Sequence, residues 1–123
     1  SATVTKSREF VAQGIASFAW AFATLGIRHL PLFDALASAA IAKISAFGVQ
    51  ELANTVWSVA TIRFSNAPLL EAISAASIPT ISQFGIQDLG NTAWALAALC
   101  MGHSPLMAAI ASAARTTLES DLP

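Results

Sequence analysis

Three residue types that could contact a nucleic-acid base recur along this chain at a fixed distance. Tryptophan, glutamine and asparagine each return after 37 residues. An indole can stack on a base, and a side-chain amide can hydrogen-bond to a base edge. The same residues could instead hold structural repeats together, and a motif that occurs two or three times favours such an architectural role. The positions are Trp20, Trp57, Trp94, Gln13, Gln50, Gln87, Asn54 and Asn91.

Residues that could catalyse a reaction are few. Gly102-His103-Ser104 places a hydroxyl beside an imidazole, but it lacks the G-x-S-x-G turn of a serine hydrolase. This segment also falls on the same inter-helix turn of the repeat as His29. The carboxylates are scattered, and two histidines and one cysteine on separate turns or helix ends do not make a metal site. We therefore predict no enzyme activity, no metal and no cofactor, and we expect Cys100 to be a buried small hydrophobic residue.

Net charge and hydropathy argue against several other classes of protein. Six basic residues face seven acidic ones, so the formal net charge is −1 and there is no basic excess to attract nucleic acid or anionic lipid. Hydrophobic residues make up 55% of the chain, and the mean hydropathy is +0.64. The longest apolar runs are nevertheless about a dozen residues, whereas a membrane-spanning helix needs roughly 20. We therefore predict no transmembrane segment and no signal peptide in this piece.

The whole sequence follows the 37-residue period without a gap. Residues 10–46 and 47–83 share 13 identities in 37 positions, and residues 47–83 and 84–120 share 14. Self-similarity at such a period is the signature of a repeat architecture. The predicted organisation is residues 1–9 as the tail of a preceding repeat, 10–46, 47–83 and 84–120 as three repeats, and 121–123 beyond the pattern.

Each repeat predicts two helices. In the middle copy, the spacing of apolar residues predicts a first helix over 49–62, followed by a turn at 64–67. Pro68 suits the first position of a second helix over about 68–81, in which Pro79 should cause a kink or an early end. Stacked helical hairpins of this length predict an all-α fold, an α-solenoid of about three 37-residue repeats.

The first helix of each repeat divides into an apolar arc and a polar stripe. The tryptophans lie on the arc, so we expect them to pack between neighbouring repeats, with base stacking as the alternative. The repeated asparagines either tie adjacent repeats together or face a ligand. The stripe consists of Gln50, Asn54, Ser58 and Thr61 in one copy and of Gln87, Asn91, Ala95 and Ala98 in the next.

The wording of the repeat resembles the octotricopeptide repeat, a degenerate helical hairpin of organellar proteins in algae and other protists. The resemblance is carried by QELANTVW at 50–57, by Ala60 and by PLLEA at 68–72, and it extends over nearly the whole chain. The segments NTAWALA and PLFDALASAA are especially similar to the dinoflagellate sets. The resemblance implies RNA binding by the first-helix stripe, in organellar RNA processing, stability or translation. It also implies an organellar location, with the plastid favoured over the mitochondrion.

Charge argues against tight RNA recognition by this segment, because RNA affinity depends on neutralising phosphates with Lys and Arg. Arg28 and Arg63, near the inter-helix turns, are the best phosphate candidates among six basic residues. The apolar surplus instead favours docking on protein. The main prediction is therefore a non-catalytic scaffold, an accessory or adaptor subunit on a larger organellar assembly such as a photosystem or ribosome. The alternative is an octotricopeptide-repeat segment that binds single-stranded RNA.

Overall fold

The structure, a computed structural model, describes residues 2–100 and 104–120, with side chains from residue 9 onward. Within these ranges the chain is helical and contains no strand, which confirms the predicted all-α fold. The α-helices pair into three hairpins, and a short 3-10 helix follows both the second and the fourth α-helix. The helices are α1 (Ala2–Thr24), α2 (Leu30–Ala42), α3 (Val49–Thr61), α4 (Ala67–Ser77), α5 (Ile86–Ala98) and α6 (Pro105–Ser120), and the 3-10 helices are Ile44–Ala46 and Ile78–Gln83.

The helices form two layers. Helices α1, α3 and α5 lie side by side in the first layer, and the packing of α3 against α1 and α5 is the most extensive in the molecule. Helices α2, α4 and α6 form the second layer, with α4 in contact with both of the others. Each hairpin therefore packs chiefly on its neighbours in sequence, which is how an α-solenoid is built.

The starts of α3 and α5 depend on a glycine and an acid three residues later. The N–H of Gly48 donates to Glu51 Oε1 at 2.9 Å, and the N–H of Gly85 donates to Asp88 Oδ2 at 3.3 Å. In the first copy, Val11 replaces the glycine and Gly14 replaces the acid. Both the extended glycine and the carboxylate of this cap are therefore missing there. The predicted boundary between residues 9 and 10 accordingly falls inside α1, which runs unbroken from residue 2 to residue 24.

The first-layer helices end in a turn in which one residue has the left-handed backbone conformation, with a positive φ. After α3, the N–H of Phe64 donates to the carbonyl of Val59 at 2.8 Å and the N–H of Arg63 to that of Ala60 at 3.0 Å. This pair of bonds is a Schellman motif, in which the residue after the cap has a positive φ. Glycine fills that position in the first copy (Gly26, φ +72°), but Arg63 (φ +57°) and Cys100 (φ +63°) fill it in the others.

The turn position also decides the environment of Cys100. The prediction that this thiol is buried is wrong, because the side chain is exposed. Cys100 lies two residues beyond the end of α5, in the left-handed turn, and therefore does not share the inward face of that helix.

Side chains cap the second-layer helices. His29 Nδ1 accepts a hydrogen bond from the N–H of Leu32 at 3.1 Å, and Asn66 Oδ1 accepts one from the N–H of Leu69 at 2.9 Å. Both bonds satisfy a donor of the first helical turn, which otherwise has no partner. The prediction that His29 is a turn residue is thus confirmed, whereas His103 lies outside the described residues.

Pro79 limits the length of α4, as predicted. The helix ends at Ser77, and the chain continues as the 3-10 helix Ile78–Gln83. Proline lacks the N–H that an α-helix would need and its ring clashes with the preceding turn. In α6 the equivalent residue is Thr116, and that helix continues through it to Ser120.

The hydrophobic core lies between the two layers and between adjacent first-layer helices. It is built from the apolar positions that recur in successive copies, such as Leu52 and Leu89 in the first layer and Ile73 and Ile110 in the second. No helix in the described part of the chain is long and apolar enough to span a bilayer. The largest fully buried hydrophobic side chains are Phe33, Leu69, Ile73, Leu89, Leu96, Leu106 and Val56.

Candidate nucleic-acid interface

One line of exposed or half-buried side chains follows each first-layer helix. The members are spaced i, i+4, i+7 and i+11, so they lie on one side of their helix. Because packed helix axes are about 8–10 Å apart, equivalent residues recur across the layer at about that interval. We call this surface the indole–amide face; it consists of Gln13, Ser17, Trp20 and Thr24 on α1, Gln50, Asn54, Trp57 and Thr61 on α3, and Gln87, Asn91, Trp94 and Ala98 on α5.

The tryptophans of this face are more exposed than their apolar character suggests. The exposed fraction of Trp20 is 49% and that of Trp94 is 51%, while Trp57 is half-buried against the core. The prediction that the indoles pack between repeats is therefore wrong for Trp20 and Trp94. A first-layer helix such as α3 has neighbours on both flanks and below, so only one narrow line stays open, and the indole position lies on that line.

The predicted polar stripe and the observed line differ by one residue. Ser58, which we placed on the stripe, is fully buried, and its Oγ donates to the carbonyl of Asn54 at 2.6 Å. Its equivalent in α5, Ala95, is also fully buried. Trp57 takes the place of Ser58 at the surface. The remaining predicted contacts, Gln50, Asn54, Thr61, Gln87 and Asn91, do lie on the face.

The amides of the face are available for hydrogen bonding. Asn54 is half-buried and Asn91 is exposed, and neither side chain bonds to another residue within the described ranges. Among the described residues, neither asparagine therefore ties one repeat to another. Thr61 Oγ1 donates to the carbonyl of Trp57 at 2.8 Å, which leaves its lone pairs free to accept. Contact of these residues with a ligand stays a prediction.

A groove lies at the end of the face, where α1 and α3 terminate side by side. Its volume is about 360 Å³, and both predicted phosphate candidates, Arg28 and Arg63, line it. Thr61 lines the groove and also belongs to the indole–amide face, so the two surfaces are continuous. We call it the arginine groove; its lining is Ala23, Gly26, Arg28, Thr61, Ile62 and Arg63.

The two arginines are held by different means. Arg28 Nε donates to the main-chain carbonyl of Ile62 at 2.9 Å, so the side chain crosses from the first hairpin to the second. Arg63 belongs to the backbone turn that ends α3. Among the described residues, the one ion pair joins Arg115 to Glu119 at 3.0 Å, so no described carboxylate neutralises either groove arginine.

The described ranges offer few residues for metal binding. No group of three or more His, Cys, Asp or Glu side chains is close enough there to hold a metal ion. The surface that combines aromatic, amide and cationic groups is therefore the candidate site. Its components match those by which proteins bind single-stranded nucleic acid, namely aromatic side chains for the bases and basic side chains for the phosphates.

Comparison with models of known protein families shows to which family the chain belongs. The model of the family described as RNA-editing substrate-binding complex 6 protein (RESC6) matches residues 3–120. The chain belongs to the RESC6 family. No curated protein matches it.

Membership of the RESC6 family corrects part of what the repeat wording implied. The family is one of helical proteins associated with RNA editing, in agreement with the implied RNA processing, but it does not identify the repeat as octotricopeptide. RESC6 proteins act in mitochondrial RNA editing, so the prediction of a plastid is wrong. The larger assembly associated with the family is an RNA-editing complex rather than a photosystem or a ribosome.

Sequence reasoning missed the surface position of the indoles, although a signal for it was present. In α3 and α5 the tryptophan follows glutamine by seven residues and asparagine by three, which places all three on one side of the helix. Two amides on that line already indicated solvent exposure. The hydrophobic character of tryptophan outweighed this spacing in the prediction.

Proposed function

We propose that this RESC6-family chain is a non-catalytic helical-repeat segment of an RNA-editing complex that contacts single-stranded RNA through its indole–amide face. The observation that carries the proposal is the row of indoles, two exposed and one half-buried, that lies beside amides on the first-layer helices. The family match over residues 3–120 supports RNA as the ligand. This function corresponds to the RNA-binding alternative reached from the sequence, with RNA editing as the process.

The chemistry of the face suits unpaired nucleotides. In an RNA duplex the base faces are stacked and hidden, whereas a single strand can place them against an indole. Stacking on an aromatic side chain contributes about 1–3 kcal/mol per base and tolerates any base. The glutamines and asparagines beside the indoles can donate to and accept from base edges. With one indole per hairpin, the face would hold about one base per repeat.

Charge sets the strength of such binding. Each phosphate contact adds affinity by releasing counterions, and the groove provides only two arginines beside the face. Binding by this segment alone would therefore be weak at physiological salt. Weak contacts of this kind become effective when several are linked in one assembly, which fits a component of a larger complex.

A protein-docking role is the second candidate, and the exposed flank of α1 favours it. Phe18 is 59% exposed, whereas its equivalents Thr55 and Thr92 are almost fully buried. Leu25 is likewise exposed, while its equivalent Ile62 is buried. The difference arises because α1 covers α3 and α3 covers α5, while no helix in the described part of the chain covers the corresponding flank of α1. An exposed apolar surface of this kind is typical of protein contacts, and here the assembly would be the RNA-editing complex.

A binding titration with indole variants tests the proposal. The probe is a fluorescently labelled single-stranded oligouridine of about 12 nucleotides, measured by anisotropy at about 50 mM salt. Trp20→Ala and Trp94→Ala should each weaken binding about 5- to 150-fold, the equivalent of 1–3 kcal/mol. Ile78→Ala is the matched control, because Ile78 is an exposed hydrophobic residue away from the face and should leave affinity unchanged.

The same titration can reject the proposal. If the indole variants bind oligouridine as well as the unmodified chain, the face is not the RNA site. Suppose instead that no variant of the indole–amide face changes RNA affinity and that Phe18→Asp prevents incorporation into an RNA-editing complex. The protein-docking role then replaces RNA binding as the function of the chain.

A further inference from the structure

The arginine groove differs from an ordinary helix end in its charge. The carboxyl ends of α1 and α3 meet there, and each carries about half a negative charge from the helix dipole. Arg28 and Arg63 together bring two full positive charges to the same groove. The balance is therefore about one positive charge. Without the arginines, the groove would repel an anion.

Arg28 is positioned for a ligand by its own hydrogen bond. Its Nε is used by the carbonyl of Ile62 at 2.9 Å. A guanidinium has five N–H donors in a rigid fork, so the four terminal donors remain. A fixed guanidinium with free terminal donors matches the oxygens of a phosphate in a way that a mobile ammonium does not.

Arg63 keeps an unfavourable backbone conformation. Its φ of +57° lies in the left-handed region, which a residue with a Cβ rarely adopts. The first copy fills the same turn with Gly26, at φ +72° and without such strain. A strained residue is a reason to look for function. Here the strained residue adds the second positive charge of the groove.

We propose that Arg28 and Arg63 in the arginine groove each bind one phosphate of the RNA backbone while the neighbouring indoles hold the bases. This inference rests on the proposed RNA-binding function. Trp57 lies one helical turn before Thr61, and Thr61 lines the groove, so base and phosphate would be separated by about one turn, roughly 5.4 Å along α3. A strand that crosses the first layer along the indole row would pass the groove with its backbone.

Salt dependence tests the phosphate contact independently of base stacking. For a single strand, each phosphate contact contributes about 0.7 to the slope of log affinity against log salt. Two contacts would make affinity fall about seven-fold between 50 and 200 mM salt, and one contact only about 2.5-fold. Arg28→Gln and Arg63→Gly should each reduce the seven-fold loss to about 2.5-fold, measured with oligouridine. Arg115→Gln is the control, because Arg115 lies on α6 and pairs with Glu119.

Folding failure does not confuse the result, since Arg63→Gly introduces the residue that the first copy already uses in this turn. Trp20→Ala should weaken binding without changing the salt slope. If the indole variants weaken binding but both arginine variants keep the full slope, the phosphate inference is overturned and the proposed function stands. If the unmodified chain does not bind oligouridine at 50 mM salt, both are overturned.

Discussion

The side chain of Arg28 reaches the main-chain carbonyl of Ile62, 34 residues away, with 2.9 Å between Nε and the oxygen. This contact joins the turn of the first hairpin to the end of α3 in the second. A cation at a helix carboxyl end satisfies a carbonyl that has no intrahelical partner and also interacts favourably with the helix dipole. The arginine groove is therefore also a link between two repeats.

Removing this link should lower stability modestly. We expect Arg28→Gln to reduce the free energy of unfolding by about 1 kcal/mol, because a charge-assisted hydrogen bond is lost at a partly exposed site. Urea denaturation followed by circular dichroism measures the change. Arg115→Gln, which breaks an exposed pair within one helix, should stay within about 0.5 kcal/mol. Equal losses for the two variants would show that the Arg28 bond does not stabilise the repeat interface.

The exposure of the indoles predicts a contrast between two neighbouring residues of α5. Leu96 is fully buried, and Leu96→Ala should cost about 2–5 kcal/mol. Trp94 is half exposed, so Trp94→Ala should cost less than half as much, despite the larger volume removed. Thermal or urea unfolding of both variants checks the order. A larger loss for Trp94→Ala would indicate that the indole packs into the core after all.

The left-handed turns predict opposite effects of two substitutions at equivalent positions. Cys100→Gly should stabilise the protein by about 0.5–1 kcal/mol, because glycine adopts a positive φ without steric strain. Gly26→Ala should destabilise it by a similar amount, since nothing lies within 4 Å of the added Cβ and only the backbone conformation (φ +72°) opposes it. Differential scanning calorimetry measures both. A destabilising Cys100→Gly would assign a packing role to the exposed thiol.

The glycines that begin α3 and α5 should differ in their tolerance of alanine. A Cβ on Gly48 would lie 2.8 Å from Glu51 Oε1, which itself accepts the 2.9 Å bond from the Gly48 N–H. A Cβ on Gly85 would lie at 3.6 Å from Asp88 Oδ2, an ordinary contact. We expect Gly48→Ala to cost about 0.5–1 kcal/mol through the displaced carboxylate, and Gly85→Ala to cost less. Hydrogen exchange at the first turn of each helix reports which cap is weakened.

The helices were largely predictable because their signals are local. The first helix, predicted over 49–62, is observed over Val49–Thr61, and the effect of Pro79 on α4 appears where expected. Caps, turns and proline act within a few residues, so one sequence is enough to place them. The continuous α1 follows from the same signals, since Val11 stands where the later copies have glycine.

The candidate site was only half predictable, and α3 shows why. Gln50, Asn54 and Thr61 were assigned to the exposed line from their spacing and polarity. Trp57 and Ser58 are adjacent and differ by 100° around the helix axis. Which of the two faces solvent depends on where the neighbouring helices lie. Polarity alone predicted that Ser58 would be exposed and Trp57 buried, whereas the structure buries Ser58 and leaves Trp57 partly exposed.

The sequence by itself determined the repeat length, the helical hairpin, the helix caps and the absence of a basic excess, because period, caps and charge are properties of residues close in the chain. The tertiary structure decided the rest. Packing of α3 between α1 and α5 buried Ser58 and left the indole row at the surface. Stacking of hairpins brought Arg28 and Arg63, 35 residues apart, into one groove. Such contacts depend on how the repeats dock on one another, and no local sequence pattern encodes the angle between neighbouring repeats.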